Sequence, residues 1–362
     1  MKKIRVMIVE DSLVIRTYLE HIIGSDTRLE VAASVSSAEE ALRNLNSIAP
    51  DVISLDIRLP VMNGIDATLR IMAERPTPIV VFAANVDSDK LNISMNALRA
   101  GALTVLEKPS GVTGKDYDRI ATHICDQLVA MSDVKVVRQR TSRTISDPVR
   151  DTNRNDPSKL MKTPISRADR FRVLGLVAST GGPNALVTVL SKLPADFPLP
   201  ILLVQHITPS FLESFASWLE GLCPFKVLIV KGGELPMAGT VYMAPVDHHI
   251  EIQAGRISIN KAPLESMQRP SGTLLFRSMA RTLGPRCLGV LLTGMGDDGA
   301  TGLKEIHDAG GHTIAEDEST CVVYGMPAAA VRLGGVSESL PVDSIGDRLA
   351  QVVVSLQGES HA

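Results

Sequence analysis

Short runs rich in aliphatic and β-branched residues alternate along this chain with segments whose apolar positions recur every three or four residues. In the first third, IRVMIV (4–9), VAASV (31–35), DVISLD (51–56), PIVVFAA (78–84) and LTVLEK (103–108) have the length and composition of strands. Each leads into a helix-period segment, such as AEEALRNLNSI at 38–48. Repeated βα units predict a doubly wound parallel α/β sheet, with ligand chemistry at the carboxyl ends of its strands. The alternation resumes at Arg172 with VLGLVA (173–178), PILLVQ (200–205), KVLIV (226–230), VYMAP (241–245), CLGVLLTG (287–294) and HTIAE (312–316). HHIEIQAGRISIN (248–260) reads as a hairpin turning at Ala254-Gly255. Helices are predicted at 184–192, 209–221, 271–283, 300–309 and 343–356. A second open, mostly parallel α/β sheet with a β-hairpin follows.

Between the two patterned regions the periodicity lapses. DVKVVRQRTSRTISDPVRDTNRNDPSKLMKTPISRADR (133–170) is rich in Arg, Lys, Ser, Thr, Asp and Pro, and reads as a flexible basic linker from about 135 to 170. The predicted organisation is a first domain at 1–120, a helix end and linker at 121–171, and a second domain at 172–357. A length of 362 residues agrees with two domains. The net charge of −3 argues against a general nucleic-acid binder. The apolar start of the chain is broken by Arg5 and ends in Glu10-Asp11, so it is not a signal peptide. No apolar run approaches the roughly 20 residues of a membrane span. A cytoplasmic protein with no membrane insertion is expected. The four cysteines lack CxxC spacing and read as reduced core thiols.

The predicted strand ends of the first domain carry charge. Glu10-Asp11 follow the first strand, Asp56 ends the third, and Lys108 ends the fifth. Carboxylates gathered at one sheet edge repel one another, and a hard divalent cation such as Mg²⁺ relieves the repulsion through oxygen ligands. One carboxylate can then accept a phosphoryl group, with a lysine pairing its oxygens. With these positions, residues 1 to about 120 resemble a response-regulator receiver domain of flavodoxin-like fold. The resemblance implies Asp56 as phosphoacceptor and Mg²⁺ on Asp11, Asp56 and the Arg58 carbonyl, with Glu10 acting through water. Two positions depart from that family. Its Ser or Thr after the fourth strand is Ala83 here, and its aromatic residue before the lysine is Val105.

The second domain opens on ASTGGP, a strand ending in a small turn with Ser179 at its tip. A phosphate cradle is one use of such a turn, yet neither GxGxxG nor GxxxxGK[ST] is present. A nucleophile is another, and it needs a base within hydrogen-bond reach. His206 ends the following strand, and the loop GMGDDG (294–299) offers Asp297 and Asp298 to orient it. Amides of that loop and of the helix after Ser179 would suit an oxyanion hole. The order Ser, His, Asp differs from that of α/β-hydrolases, and Val177 replaces the first glycine of GxSxG. A lone serine in a βα turn is more often a helix cap. His248-His249 are adjacent, so as strand neighbours they face opposite ways and make no metal pair.

The stretches ASTGGP, VQHI, YMAPVDHH, RPSGTLLFRSMA, LLTGMGDDGA and YGMPAAA are similar to the catalytic domain of the chemotaxis protein-glutamate methylesterase (CheB) family. By position, the resemblance implies Ser179 as nucleophile, His206 as base, Asp298 as orienting acid and the Met295 N–H in the oxyanion hole. It implies hydrolysis of glutamate γ-methyl esters on methyl-accepting chemotaxis receptors, deamidation of specific receptor glutamines, and a chemotaxis histidine kinase as phosphodonor. The esterase would need no cofactor; Mg²⁺ belongs to the receiver. The alternative is a receiver tethered to a non-catalytic α/β ligand-binding or docking module, with Ser179 a helix cap.

Overall fold

The computed structural model describes residues 2–83, 95–109, 115–134, 136 and 171–354. The predicted linker at 135–170, apart from Val136, lies outside the described residues, as do residues 84, 355 and 356 of predicted elements.

The first unit contains β1 (Ile4–Val9), α1 (Leu13–Ser25), β2 (Leu29–Val35), α2 (Ala38–Ile48), β3 (Val52–Asp56), α3 (Gly64–Glu74), β4 (Ile79–Ala83), α4 (95–99), β5 (Thr104–Glu107) and α5 (Lys115–Ser132). Its parallel sheet has the order β2-β1-β3-β4-β5. Every residue of β3 and β4 is buried, as expected of parallel strands covered by helices on both faces. Local signals set the helix starts. Ser37 accepts a hydrogen bond from the Glu40 N–H to cap α2, and Asn63 accepts from Ile65 and Asp66 to cap α3. Helix α5 packs Ile124, Leu128 and Met131 into this unit's core, so the boundary drawn at 120 falls inside a helix.

The second unit contains β6 (Val173–Ala178), α6 (Gly182–Lys192), β7 (Ile201–Gln205), α7 (Leu212–Glu220), β8 (Lys226–Ile229), β9 (Thr240–Met243), β10 (His249–Gln253), β11 (Arg256–Asn260), α8 (Gly272–Leu283), β12 (Cys287–Leu291), α9 (Ala300–Asp308), β13 (His312–Glu316), α10 (Met326–Arg332), β14 (Glu338–Leu340) and α11 (Val342–Val354). Seven strands run in the order β14-β13-β12-β6-β7-β9-β8, with parallel pairing throughout. The chain moves outward from β6 through β7 on one side and through β12 and β13 on the other. The carboxyl ends of β12, β6 and β7 therefore flank a topological switch point. The β10–β11 hairpin turns at Ala254 (φ 48°) and Gly255 (φ 76°), both left-handed as a type I′ turn requires. Sequence patterning did not separate α10 or β14. The first starts at Met326-Pro327, and the second is only Glu-Ser-Leu.

Helix α8 lies close to both the sheet and α9. A Cβ on Gly272 would sit 2.3 Å from Val177 Cγ1, and one on Gly302 would sit 2.4 Å from the Thr273 carbonyl oxygen. The two units also touch. Gln127 of α5 hydrogen-bonds Thr180 (3.3 Å), Asn184 Nδ2 donates to Leu98 O (3.4 Å), and Ser210 Oγ donates to Glu107 Oε2 (3.2 Å). A cavity of about 1170 Å³ between them is lined by residues including Leu98, Arg99, Val187, Trp218 and Cys321.

Two glycine-to-alanine changes separate propensity from packing. Gly24, in α1, has no atom within 4 Å of a built Cβ, so Gly24→Ala should stabilise by about 0.5–1 kcal/mol. Gly302→Ala gains similar helix propensity, but its Cβ meets rigid backbone and α9 must shift. A net loss of about 1–2 kcal/mol is expected in urea denaturation. Equal effects of the two substitutions would refute the close-packing account.

Candidate active site

Ser179 leaves β6 on a tight turn. Its N–H donates to Thr293 O (3.0 Å), and its carbonyl accepts from Gly182 N–H (2.8 Å). The cap of α6 is Gly181, at φ 79°, where a Cβ would lie 2.5 Å from Val322 Cβ. Ser179 is therefore not the helix cap, and its half-buried hydroxyl has no capping duty.

His206 follows β7, the immediate neighbour of β6, and its N–H donates to Ala178 O (3.1 Å). Its Nε2 lies 2.9 Å from Asp298 Oδ2. An ionised carboxylate only accepts, so this geometry assigns the proton to Nε2 and leaves the Nδ1 lone pair available. No hydrogen bond joins the ring to Ser179 Oγ among the described residues. Such contacts commonly tighten only with substrate present.

Asp298 comes from the loop after β12 and is buried. Oδ1 accepts from Ser271 Oγ (2.6 Å) and Thr273 N–H (3.1 Å), while Oδ2 accepts from Gly272 N–H (2.7 Å). The carboxylate thus sits on the N-terminus of α8, where free amides and the helix dipole favour negative charge. Burial pushes its pKa up, but the His206 bond and charge, Ser271 and the Gly272 amide outweigh burial and hold it below the usual carboxylate range. Asp297 is exposed and makes no side-chain hydrogen bond to His206 among the described residues. Gly294 presses on the nucleophile turn, since a Cβ there would be 2.7 Å from Ser179 Cβ. Met295 follows it in the chain, with its side chain exposed.

Other sequence candidates fall apart. His249 is buried, with Nδ1 accepting from Ser271 N–H (3.2 Å) and Nε2 near Pro263 O (3.1 Å), whereas His248 Nδ1 faces Val246 O (2.8 Å). They share no ligand position. The cysteines are free thiols, and burial pushes Cys125 and Cys287 up to about 12, far from a thiolate nucleophile.

In the first unit Lys108 Nζ reaches Glu10 Oε2 and Asp56 Oδ2, each at 2.8 Å. Glu10, Asp11 and Asp56 bring one oxygen apiece within 4.8 Å of one another. Three carboxylates face a single ammonium, an oxygen-donor set suited to a hard divalent cation. Arg58 donates its N–H to Asp56 Oδ1 (3.0 Å). Burial raises the Glu10 pKa, and Asp56 adds to the rise against the lowering by Lys108. Ala83 is buried at the end of β4, paired with Glu107.

A family model described as CheB methylesterase matches residues 174–349, and one described as response regulator receiver domain matches residues 6–114. Protein-glutamate methylesterase/protein-glutamine glutaminase 2 of Paramagnetospirillum magneticum is 56% identical over 353 residues, covering 98% of each chain. This chain belongs to the protein-glutamate methylesterase/protein-glutamine glutaminase family. Within the family, protein-glutamate methylesterase/protein-glutamine glutaminase 4 of Myxococcus xanthus is 41% identical across 96% of both chains. The catalytic domain of Thermotoga maritima CheB methylesterase is 34% identical over 50% of this chain and 98% of its own, with a TM-score of 0.48.

Sequence reasoning missed the supports of this family's site. Ser271 carries an N-cap signal ahead of GTLLFRSMA, but nothing local says that its hydroxyl also serves Asp298. Glu316 ends β13 and accepts from Thr293 N–H (2.8 Å), and Thr293 in turn holds the Ser179 amide and donates Oγ1–H to Thr180 O (3.0 Å). Burial raises the Glu316 pKa to about 7.

That shift has a definite sign. The folded state retains a proton that the unfolded chain releases near its ordinary value, so stability is full at low pH and falls as pH rises through about 7. Relative to wild type, Glu316→Gln should gain on the order of 2–3 kcal/mol between pH 4.5 and pH 8. Urea midpoints at the two pH values measure it, and a difference independent of pH would refute it.

Proposed function

We propose that the chain is a phosphorylation-regulated hydrolase acting on glutamate γ-methyl esters of methyl-accepting chemotaxis receptors. The observation carrying the reading is the His206–Asp298 pair beside Ser179 at the carboxyl edge of β12-β6-β7. Family membership supplies the substrate class. Ser179 Oγ attacks the ester carbonyl while His206 Nδ1 takes its proton. Asp298 holds the ring and stabilises the imidazolium. The Met295 N–H, with amides at the start of α6, serves the developing oxyanion. The C–O bond to methanol breaks as His206 returns the proton to the leaving oxygen. Water, deprotonated by the same nitrogen, then cleaves the acyl-serine to a glutamate carboxylate. A receptor glutamine passes through the same steps and releases ammonia. No metal or organic cofactor is required for this chemistry.

Regulation belongs to the first unit. The receiver, extended to include the whole of α5, joins the catalytic domain that begins near residue 172 through the segment between them. A chemotaxis histidine kinase would phosphorylate Asp56, with Mg²⁺ held by Asp11, Asp56 and the Arg58 carbonyl, Glu10 acting through water, and Lys108 pairing the phosphoryl oxygens. The receiver contacts flank the catalytic residues: Gln127 meets Thr180, Leu98 meets Asn184, and Glu107 meets Ser210. Charge added at Asp56 would repack this face and open access to Ser179. A cytoplasmic location belongs to this reading, and no helix among the described residues is long and apolar enough to cross a membrane.

Methanol release from methyl-esterified receptor membranes tests the chemistry. Ser179→Ala should abolish it, and Asp298→Asn should lower kcat by about 10²–10⁴-fold. Release that survives Ser179→Ala unchanged removes the serine mechanism, whereas no release above background from wild type would favour the docking-module alternative. Acetyl phosphate with Mg²⁺ should raise the wild-type rate and leave Asp56→Ala at its basal value.

A further inference from the structure

The ladder between β6 and β7 runs out just before the catalytic residues. Its last paired residues are Ala178 and Gln205, and its last bond runs from His206 N–H to Ala178 O. Beyond it one chain enters the Ser179–Gly182 turn and the other enters the loop after His206. On the other side Thr293, just past β12, holds the Ser179 amide (3.0 Å), but no further ladder bond between β6 and β7 sets the nucleophile against the base. The requirement is severe, since a misplacement of about 1 Å costs on the order of 10²-fold in rate.

The side chain of Gln205 bridges this gap. It is buried, and Nε2 donates one N–H to Ser179 O (2.9 Å) and the other to His206 O (2.9 Å). Both amide protons are thus spent on the backbone of the proposed nucleophile and the proposed base. The orientation follows from chemistry. Rotating the amide would bring Oε1 against two carbonyl oxygens and lose both bonds. Oε1 itself has no hydrogen-bond partner among the described residues. It lies against Gly182, where a Cβ would approach to 2.2 Å, so the turn leaves room for this group and no other side chain. A buried amide with one unpaired oxygen is costly to keep. The other half of the group must justify its presence.

We infer that Gln205 is a positioning residue: it clamps the Ser179 carbonyl to the His206 carbonyl and so fixes the separation of hydroxyl and imidazole for catalysis. The residue type follows from the task. One nitrogen must carry two protons, without charge, at the reach of a three-carbon side chain. Asparagine falls a methylene short, and an ionised glutamate has no proton to give. The inference rests on the proposed roles of Ser179 and His206.

The test uses the full chain and methanol release from methyl-esterified receptor membranes. Gln205→Met keeps the volume and removes both donors. It should lower kcat about 10–10²-fold with KM within twofold, because substrate contacts are untouched. Gln205→Glu reads the hydrogen bond itself. Protonated, its carboxyl donates one bond; ionised, it donates none and presents charge to two carbonyl oxygens. Every other ionisable group is common to both proteins, so the ratio of variant to wild-type kcat isolates residue 205. That ratio should be highest at low pH and fall about tenfold or more as the buried carboxyl ionises, whereas Gln205→Met should give a flat ratio. Circular dichroism and Asp56 phosphorylation by acetyl phosphate report folding of both units. If Gln205→Met does not fold, the Gln205→Glu profile decides alone. With Ser179→Ala inactive, a Gln205→Met kcat within threefold of wild type, or a flat Gln205→Glu ratio, overturns the clamp. Activity in Ser179→Ala would instead overturn the serine mechanism.

Discussion

A carboxylate withdrawn from water persists as an anion only where donors take the place of its hydration shell. Asp298 is such a group, and the catalytic unit is arranged around it. Ser271, Gly272 and Thr273 bring a hydroxyl and two amides from the start of α8, and His206 brings a ring proton. For the helix end to come that close, α8 lies against Val177 through Gly272 and against α9 through Gly302. Thr273 further accepts from the Gly299 amide (2.7 Å), which ties the acid's own loop to the same helix. The end of the site that holds charge is therefore rigid. The nucleophile's end hangs on fewer bonds.

Both units gather charged groups at the carboxyl edge of a parallel sheet, and they resolve the resulting electrostatics in opposite ways. The first leaves three acidic side chains beside one ammonium, an unbalanced set of oxygen donors suited to a hard divalent cation. The second balances a single carboxylate with neutral dipoles and an imidazole. One topology thus carries an acid-rich pocket and a charge-balanced one. Net charge at the strand ends, not the fold, makes the difference.

The periodic parts of both sheets were legible because each buried strand is a compact aliphatic run. The strand-end residues Glu10, Asp56, Lys108, Ser179 and His206 were legible because polar groups at such positions interrupt those runs. Other parts carry no such signature. Strand β14 is three residues with two polar side chains, held in place by β13. Asp297 and Asp298 are equivalent as letters; the family resemblance pointed to Asp298, and contact with α8 gives the physical difference between them. Ser271, Gln205 and Glu316 act on partners 27, 26 and 23 residues away, through bonds that no local pattern encodes. The serine turn also looked like a helix cap until Gly181 was found in that position.

The seam between the units meets the sheet edge beside Ser179 and His206. Glu107, the chain neighbour of Lys108, accepts there from the Ser210 hydroxyl. Trp218, on the wall of the interdomain cavity, is the chain's single tryptophan. Its indole N–H has no protein partner among the described residues. Intrinsic fluorescence excited at the indole band therefore originates at this seam alone. Its emission wavelength registers solvent entering between the two units without any attached label.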